Sequence, residues 1–347
     1  MKPLKDLLRT NIYELSKLPL FDDGRNEGFG LMCLDANETP YNHPYNRYPD
    51  CKQSALKQQL ARVMQVDAEQ IWLGNGSGDI VDMIYKCFCN PGKDNVVAIE
   101  PTRSLYRKAA NVFGVECRQA LLEADFKLSA DTVLSLCDDN TKVVWVCSPN
   151  SVDGNSLERG EIETIVELFD GIVVVDESYS DFSRLRPFRL DISAHPNIIS
   201  IGTMSKAWGC AAARVAMAFS NKDISDVFER VGWPYSISSL DQKCVLDVLV
   251  DPFEVGKCVK MLAIERQRMV EAFRLLPFCN KVFESDANFL LARMDNAKAV
   301  HSYLLEQGII VKDVSGMPLC ENCLRVAIGT KNENNLLLSA LRQYGRP

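Results

Sequence analysis

The sequence predicts an α/β protein with a mostly parallel sheet, because strand-like and helix-like patterns alternate along it. Four short apolar runs rich in β-branched residues are typical of strands buried on both faces, at residues 95–100, 142–147, 171–176 and 198–203. Amphipathic helical patterns lie among them, at 80–89, 104–113 and 161–169. Such alternation predicts right-handed crossovers, with helices covering both faces of one sheet.

The last third of the chain has a different pattern, which predicts a smaller α+β domain. A long charged helix is expected at 252–276 and a shorter one near 298–307, with strand-like segments at 288–293, 309–312 and 323–329. The 347 residues suit about two domains. We expect a large ligand-binding domain at 41–240 and a small domain at 241–347, with residues 1–40 forming an N-terminal arm and part of the small domain.

The composition is that of an ordinary globular protein and excludes several classes. Hydrophobic residues make up 47% of the chain, which rules out disordered and low-complexity proteins. There are 39 basic and 46 acidic side chains, and the net charge of −7 argues against a general binder of nucleic acid or anionic membranes. No apolar run is long enough to span a membrane, and the first 15 residues lack the apolar core of a secretory signal. A cytoplasmic location is therefore expected.

The cysteines and histidines predict no metal site. The 13 cysteines are an odd number scattered through apolar stretches, as is typical of reduced thiols that fill a core. Cys320 and Cys323 form a single C-x-x-C pair, and without a second pair zinc is not expected. The three histidines, His43, His195 and His301, are far apart in the sequence.

Polar residues follow several of the strand-like runs, where α/β sheets bind their ligands. Asp176 ends the third run, and Lys206 lies just past the fourth, with Arg214 eight residues further on. A lysine among apolar residues loses solvation, which lowers its pKa and favours Schiff-base chemistry. A glycine-rich turn, GNGSG at 74–78, leads into the helix at 80–89, and free backbone N–H groups at such a turn can hold an anion.

Each of these features has an ordinary structural explanation when it is taken alone. Asp176 could cap a turn, Lys206 could be a surface lysine that begins a helix, and glycine-rich turns between strand and helix are common. Together they supply an amine, an acid, an arginine and an anion cradle. That combination suits pyridoxal phosphate, which needs a partner for its aldehyde, its ring nitrogen and its phosphate.

With these residues in view, the sequence resembles the histidinol-phosphate aminotransferases, a family of fold type I among the pyridoxal-phosphate enzymes. The likeness covers nearly the whole chain, and the motifs occur in the family's order and spacing. They are LDANE at 34–38, NRYPD at 46–50, GNGS at 74–77, FCNPGKD at 88–94, CSPN at 147–150, DESY at 176–179, SKA at 205–207, ANF at 287–289 and CLRV at 323–326. The resemblance implies a large domain with a mostly parallel mixed sheet flanked by helices, plus a small α+β domain.

The resemblance also implies how the cofactor is held. Lys206 would form the aldimine and carry the proton, Asp176 would pair with the ring nitrogen, and Tyr179 would hydrogen-bond the ring 3-oxygen. The residues expected at the cofactor phosphate are Gly76, Ser77, Gly78, Ser205 and Arg214.

Substrate and subunit contacts are implied in the same way. Tyr48 would reach the phosphate in the neighbouring subunit's site, which implies an obligate homodimer. Arg325 would bind the anionic group of a small amino-acid or phosphate substrate, with Asn37 and Asn288 close by. Phe21 aligns with an N-terminal tyrosine that helps relatives bind the substrate phosphate.

The sequence departs from the family pattern around the cofactor. Arg103 replaces the tyrosine that stacks on the ring, and could stack by its guanidinium, swing out or bind an anionic substrate group. Ser151 replaces the asparagine that donates to the 3-oxygen, and Ser178 replaces an alanine beneath the ring. Gly78 stands where the family's G-S-D-E motif has its aspartate.

The resemblance implies transfer of an amino group between L-histidinol phosphate and 2-oxoglutarate, a step of histidine biosynthesis. Two alternatives remain open because of the departures. One is a related enzyme on another phospho-amino acid, similar to threonine-phosphate decarboxylase. The other is a paralogue that binds pyridoxal phosphate with little turnover.

Overall fold

The structure, a computed structural model of the chain, describes residues 2–22 and 32–344. Residues 23–31 of the expected N-terminal arm lie outside this range. The described part contains one seven-stranded sheet and one four-stranded sheet. Among these residues, no helix combines the length and the apolar character that crossing a membrane requires.

The large sheet is mixed and mostly parallel, so the predicted fold class is confirmed. Its strands are β1 (Ile71–Asn75), β2 (Asn95–Glu100), β3 (Glu116–Leu121), β4 (Thr141–Cys147), β5 (Ile172–Asp176), β6 (Ile198–Thr203) and β7 (Val215–Phe219). Their order across the sheet is β1-β7-β6-β5-β4-β2-β3. Strand β7 runs antiparallel to β1 and β6, and the pairs from β6 to β3 are parallel.

Helices cover both faces of this sheet. They are α1 (Leu4–Leu7), α2 (Thr10–Leu15), α3 (Ser54–Met64), α4 (Gly76–Phe88), α5 (Ser104–Phe113), α6 (Ala130–Ser135), α7 (Arg159–Leu168), α8 (Lys222–Val231) and α9 (Ser239–Leu249). Along β2, Val96 and Ala98 pack into one core cluster, whereas Val97 and Ile99 pack into another. Because alternate residues of a strand point to opposite faces, two covered faces explain the uninterrupted apolar runs.

The small sheet lies in the last third of the chain. Its elements are α10 (Pro252–Arg274), β8 (Cys279–Val282), β9 (Phe289–Met294), α11 (Ala297–Glu306), β10 (Lys312–Asp313), β11 (Cys323–Ala327) and α12 (Lys331–Tyr344). The strands form an antiparallel sheet in the order β10-β11-β9-β8. Its core contains Phe273, Leu290, Leu324 and Leu337.

The start of the chain packs on the large sheet. Leu7, Leu8 and Ile12 join the same core cluster as Trp72 and Phe228. The limits of the domains at residues 40 and 240 stay predictions.

The strand expected at 309–312 is wrong for most of its length, since β10 covers Lys312–Asp313. Gly308 has a φ of 76°, which ends α11, and the Ile309 N–H donates to the Leu304 carbonyl at 2.8 Å. The backbone of Ile309 therefore completes the helix end and is not available to a sheet.

Candidate active site

The topology brings the predicted site residues to one edge of the large sheet. Strand β5 ends at Asp176, and its parallel neighbour β6 ends just before Lys206. Strand β7 is antiparallel, so Arg214, which directly precedes it, lies at that same edge. Strand β1 ends directly before Gly76, the first residue of α4.

Asp176 is a fully buried carboxylate with four hydrogen bonds. Its Oδ2 accepts from Arg103 Nη1 at 2.5 Å and from Tyr106 Oη at 2.7 Å. Its Oδ1 accepts from the Ser178 hydroxyl at 2.5 Å and from the Ser178 backbone N–H at 3.0 Å. Burial raises the pKa of this carboxyl, but the charge of Arg103 and the hydrogen bonds outweigh burial, so that the pKa lies below its usual value. The group is therefore a carboxylate at neutral pH.

Arg103 connects Asp176 to the turn at the start of α4. Its Nη2 donates to Ser77 Oγ at 2.9 Å, and its Nη1 also lies 3.4 Å from Ser178 Oγ. The negative charge of Asp176 raises the pKa of Arg103, so the arginine stays charged. The structure brings Arg103 into the site, where it holds the acid directly.

The start of α4 forms a cradle with Arg214. Gly76 has a φ of 75°, and a Cβ built on it would lie 2.2 Å from Arg214 Nη2, so the guanidinium rests on bare backbone. Arg214 Nη1 donates to the Ala211 carbonyl at 3.1 Å, which fixes its direction. Ser77 and Gly78 follow in the first turn of this 13-residue helix, whose N-terminal N–H groups and dipole favour an anion.

Lys206 lies close to Tyr179. Lys206 is part of a turn after β6, not the start of a helix, and its Nζ is 5.4 Å from the centre of the Tyr179 ring. Lys206 is exposed by its accessible surface, but the protein around it removes part of its solvation. That loss of solvation and then the positive charges of Arg103 and Arg325 lower the pKa of Lys206, against the opposing charge of Asp176. Burial first, and the nearby Cys147 next, raise the pKa of Tyr179 to about 12, so its hydroxyl keeps its proton at neutral pH. Ser205 precedes the lysine, with its N–H donating to Thr203 Oγ1 at 3.2 Å.

Arg325, on strand β11, ties the small sheet to the site. Its guanidinium lies 5.3 Å from the centre of the Phe289 ring and donates to the Ser151 carbonyl. Phe289 in turn packs edge-on against Tyr179, at 5.4 Å between ring centres. Asn288 is half-buried and directly precedes β9, and its carbonyl accepts from the Ile328 N–H at 2.9 Å. Ser151 itself is buried.

Two of the predicted residues, Tyr48 and Phe21, pack against Tyr235. Tyr48 stacks on Tyr235 with ring centres 4.7 Å apart, and Phe21 packs edge-on against Tyr235 at 6.0 Å. Both Tyr48 and Phe21 are about half exposed, at 52% each. Asn37 lies nearby in sequence with a φ of 57°, a left-handed conformation that asparagine tolerates.

Tyr106 is a site residue that the sequence reasoning missed. It is fully buried, stacks on Trp145 at 4.7 Å between ring centres and donates to Asp176. The sequence spacing could have indicated Tyr106, because it lies three residues after Arg103 at the start of α5 and therefore on the same side of that helix. The same structure gathers no metal-binding group of three or more His, Cys, Asp or Glu residues within 2–22 and 32–344.

The fold and the site define the class of this protein. A lysine, a buried carboxylate and an anion cradle at the strand ends of a seven-stranded mixed sheet are the features of a fold-type I pyridoxal-phosphate enzyme. The sequence profile of the aminotransferase class I and II family matches residues 34–341. The chain belongs to that family.

Individual relatives agree with this assignment. The histidinol-phosphate aminotransferase of Bacteroides fragilis is 43% identical over 344 residues, which cover 99% of this chain and 100% of the relative. The crystal structure of the histidinol-phosphate aminotransferase from Clostridium acetobutylicum has a TM-score of 0.80 at 21% identity, covering 87% of this chain and 91% of that one. That of Sinorhizobium meliloti, solved in complex with pyridoxal-5'-phosphate, has a TM-score of 0.78 at 18% identity, covering 86% and 84%. The two structures show the shared fold.

Proposed function

We propose that this protein transfers the amino group of L-histidinol phosphate to 2-oxoglutarate, with pyridoxal phosphate as its cofactor, in histidine biosynthesis. The observation on which this depends is the convergence of Lys206, Asp176 and the Gly76–Arg214 cradle on one sheet edge. The full-length similarity to the Bacteroides fragilis enzyme supports the choice of substrate.

The residues present fit the cofactor at both of its ends. The cradle at the start of α4 has its bare backbone against Arg214, as close binding of a phosphate requires, and Ser77, Gly78 and Ser205 would complete it. Asp176 is held ionised and would pair with the protonated ring nitrogen, and Tyr179 would donate to the ring oxygen. When bound, the cofactor supplies an electron sink for the carbon that carries the amino group.

Lys206 is the proton carrier in this proposal. Its lowered pKa increases the fraction of the amine that is neutral near pH 7, and a neutral Nζ can accept a proton and later return it. Asp176 keeps its negative charge throughout because Ser178 and Tyr106 continue to donate to it. The Lys206 Nζ lies 5.4 Å from the centre of the Tyr179 ring.

Arg325 is the proposed partner of the substrate's anionic group. It is a cation on the small sheet that reaches over Phe289 to the large domain, and its fork of donors suits a carboxylate or a phosphate. Asn37, Asn288 and Phe21 are proposed to line the substrate's path.

A homodimer in the cytoplasm belongs to the same proposal. Tyr48 would cross the interface to the partner's cofactor phosphate, which is supported by its exposure and by other exposed aromatic residues near it in sequence, Tyr41 and Tyr45.

The direct test is glutamate formation by the purified chain from L-histidinol phosphate and 2-oxoglutarate. Lys206→Ala should abolish it, whereas Lys243→Ala, at an exposed lysine paired with Asp247, should not. Carbon dioxide released from a phospho-amino acid without glutamate would favour the decarboxylase instead. Cofactor binding with neither product would indicate a protein that has lost turnover.

A further inference from the structure

One side chain, Arg103, spans the two groups that would hold opposite ends of the cofactor. Its Nη1 donates to Asp176, which would pair with the ring nitrogen, and its Nη2 donates to Ser77 in the phosphate cradle. A guanidinium is a rigid planar fork, so these two hydrogen bonds fix its plane as well as its position. Arg103 therefore lies between the acid and the cradle.

The hydrogen-bond accepting positions of the Asp176 carboxylate are all in use. Each oxygen accepts two hydrogen bonds, Oδ2 from Arg103 and Tyr106 and Oδ1 from the hydroxyl and N–H of Ser178. A carboxylate offers about four lone-pair positions in all. A ring N–H that pairs with Asp176 must replace one of these donors.

Of the three donor residues, Arg103 is the one that can leave. Tyr106 is fully buried and stacked on Trp145, and Ser178 is buried two residues from Asp176 on the same turn. The Arg103 side chain is 25% exposed, so it has a route to solvent that the other two lack.

The charges also favour replacement of Arg103 by the ring nitrogen at Asp176 over binding of both cations there. A protonated ring nitrogen and a guanidinium are both cations, and two cations at one carboxylate repel each other. We propose that Arg103 competes with the cofactor for Asp176, so that pyridoxal phosphate binds by displacing an internal ion pair. This rests on the proposed function, since it takes pyridoxal phosphate as the ligand of the site.

Competition of this kind lowers the apparent affinity for the cofactor. The measured dissociation constant equals the intrinsic one divided by the fraction of chains in which Arg103 has released Asp176. Without the guanidinium the buried carboxylate lacks a cation, and the protonated ring of the cofactor supplies one, which favours cofactor binding further. We expect Arg103→Met to bind pyridoxal phosphate at least about tenfold more tightly than the native chain.

The measurement is calorimetric titration of the full-length chain, freed of cofactor, with pyridoxal phosphate and separately with inorganic phosphate. Arg103→Met should tighten binding of pyridoxal phosphate and should not tighten binding of phosphate, because it leaves the Gly76–Arg214 pair in place and removes a cation beside Ser77. Ser178→Ala is the matched control and should tighten binding less than Arg103→Met, since it frees a position on Oδ1 but leaves the cation of Arg103 on Oδ2. Arg103→Gln, a second uncharged variant, should also bind pyridoxal phosphate more tightly than the native chain. It provides the test if the methionine variant folds poorly.

A double-mutant cycle with Asp176→Asn decides whether the effect passes through the ion pair. The gain from Arg103→Met should disappear in the Asp176→Asn background. The competition is overturned if the native chain binds pyridoxal phosphate and Arg103→Met binds it equally or more weakly, or if Ser178→Ala gives the same gain. Absence of binding by all of these proteins would overturn the proposed cofactor as well, which separates the two failures.

Discussion

The guanidinium of Arg214 occupies the space that a side chain at position 76 would need. A Cβ on Gly76 would lie 2.2 Å from Arg214 Nη2, far inside van der Waals contact. Gly76 also has a φ of 75°, which only glycine adopts at little cost. The pair links the end of β1 to the start of β7, two antiparallel neighbours in the sheet.

Gly76→Ala should therefore weaken cofactor binding by about tenfold or more, because the methyl group displaces Arg214 and a left-handed alanine costs about 1–2 kcal/mol. The measurement is the dissociation constant of pyridoxal phosphate. Gly92→Ala is the control, since Gly92 also has a positive φ, 69°, and a Cβ there meets no atom within 4 Å. Equal losses in the two variants would show that Arg214 does not depend on the bare backbone of Gly76.

Subunit mixing tests whether Tyr48 acts across a dimer interface. If it does, a mixed dimer of a Tyr48→Phe chain and a Lys206→Ala chain contains one site with both defects and one with neither. Activity of the mixture should then exceed that of either variant alone, measured as glutamate formation after the chains have exchanged. If Tyr48 acts within its own chain, as its stacking on Tyr235 would allow, mixing should give no gain.

Asp153 should make stability depend on pH. Burial raises the pKa of Asp153 from 3.8 to about 7, although Asn155 and Asn150 donate hydrogen bonds to it. Because the folded pKa lies above the unfolded one, the folded state binds the extra proton between about pH 4 and 7, and this contribution to stability is lost as the pH rises through that range.

Asp153→Asn should remove that dependence. Urea unfolding at pH 5 and at pH 8 should show the native chain losing stability relative to the variant as the pH rises. Asp247→Asn, at an exposed carboxylate, should run parallel to the native chain. A native chain that gains stability over Asp153→Asn between these pH values would contradict the shift.

Arg103→Tyr combined with Ser151→Asn restores two residues of the family pattern. We expect the double variant to show a higher kcat/KM for histidinol phosphate at limiting cofactor, because it removes the ion pair at Asp176. The single changes serve as controls for each other. A fall in kcat/KM, with cofactor binding intact, would mean that the two departures serve the true substrate of this chain.

The buried strands were the most predictable part of the fold. The limits of β2 and β6 agree with the apolar runs at 95–100 and 198–203, since a strand covered on both faces must be apolar throughout. Strand β3 could not be recognised this way, because ECRQAL is an edge strand with only Ala120 buried. Strand β7 is buried, but its VAMAF sequence is poor in β-branched residues.

In the candidate site, the residues that carry chemistry were easier to predict than the hydrogen bonds between their side chains. Asp176 and Lys206 were singled out from their places after strands, and Arg214 from its place eight residues beyond Lys206. The topology brings all three to one edge of the sheet. The ion pair of Arg103 with Asp176 was not predictable, because it joins residues 73 positions apart and depends on the side-chain direction at the start of α5. The hydrogen bond from the Tyr106 hydroxyl to Asp176 could not be predicted for the same reason.

The most direct measurement is the absorption spectrum of the purified holoenzyme during a single half-reaction. Adding L-histidinol phosphate alone should remove the visible band of the bound cofactor and yield pyridoxamine phosphate, and 2-oxoglutarate should then restore the band. Lys206→Ala should show neither change. A spectrum that histidinol phosphate leaves unaltered, at a concentration that saturates the site, would contradict the proposed amino transfer.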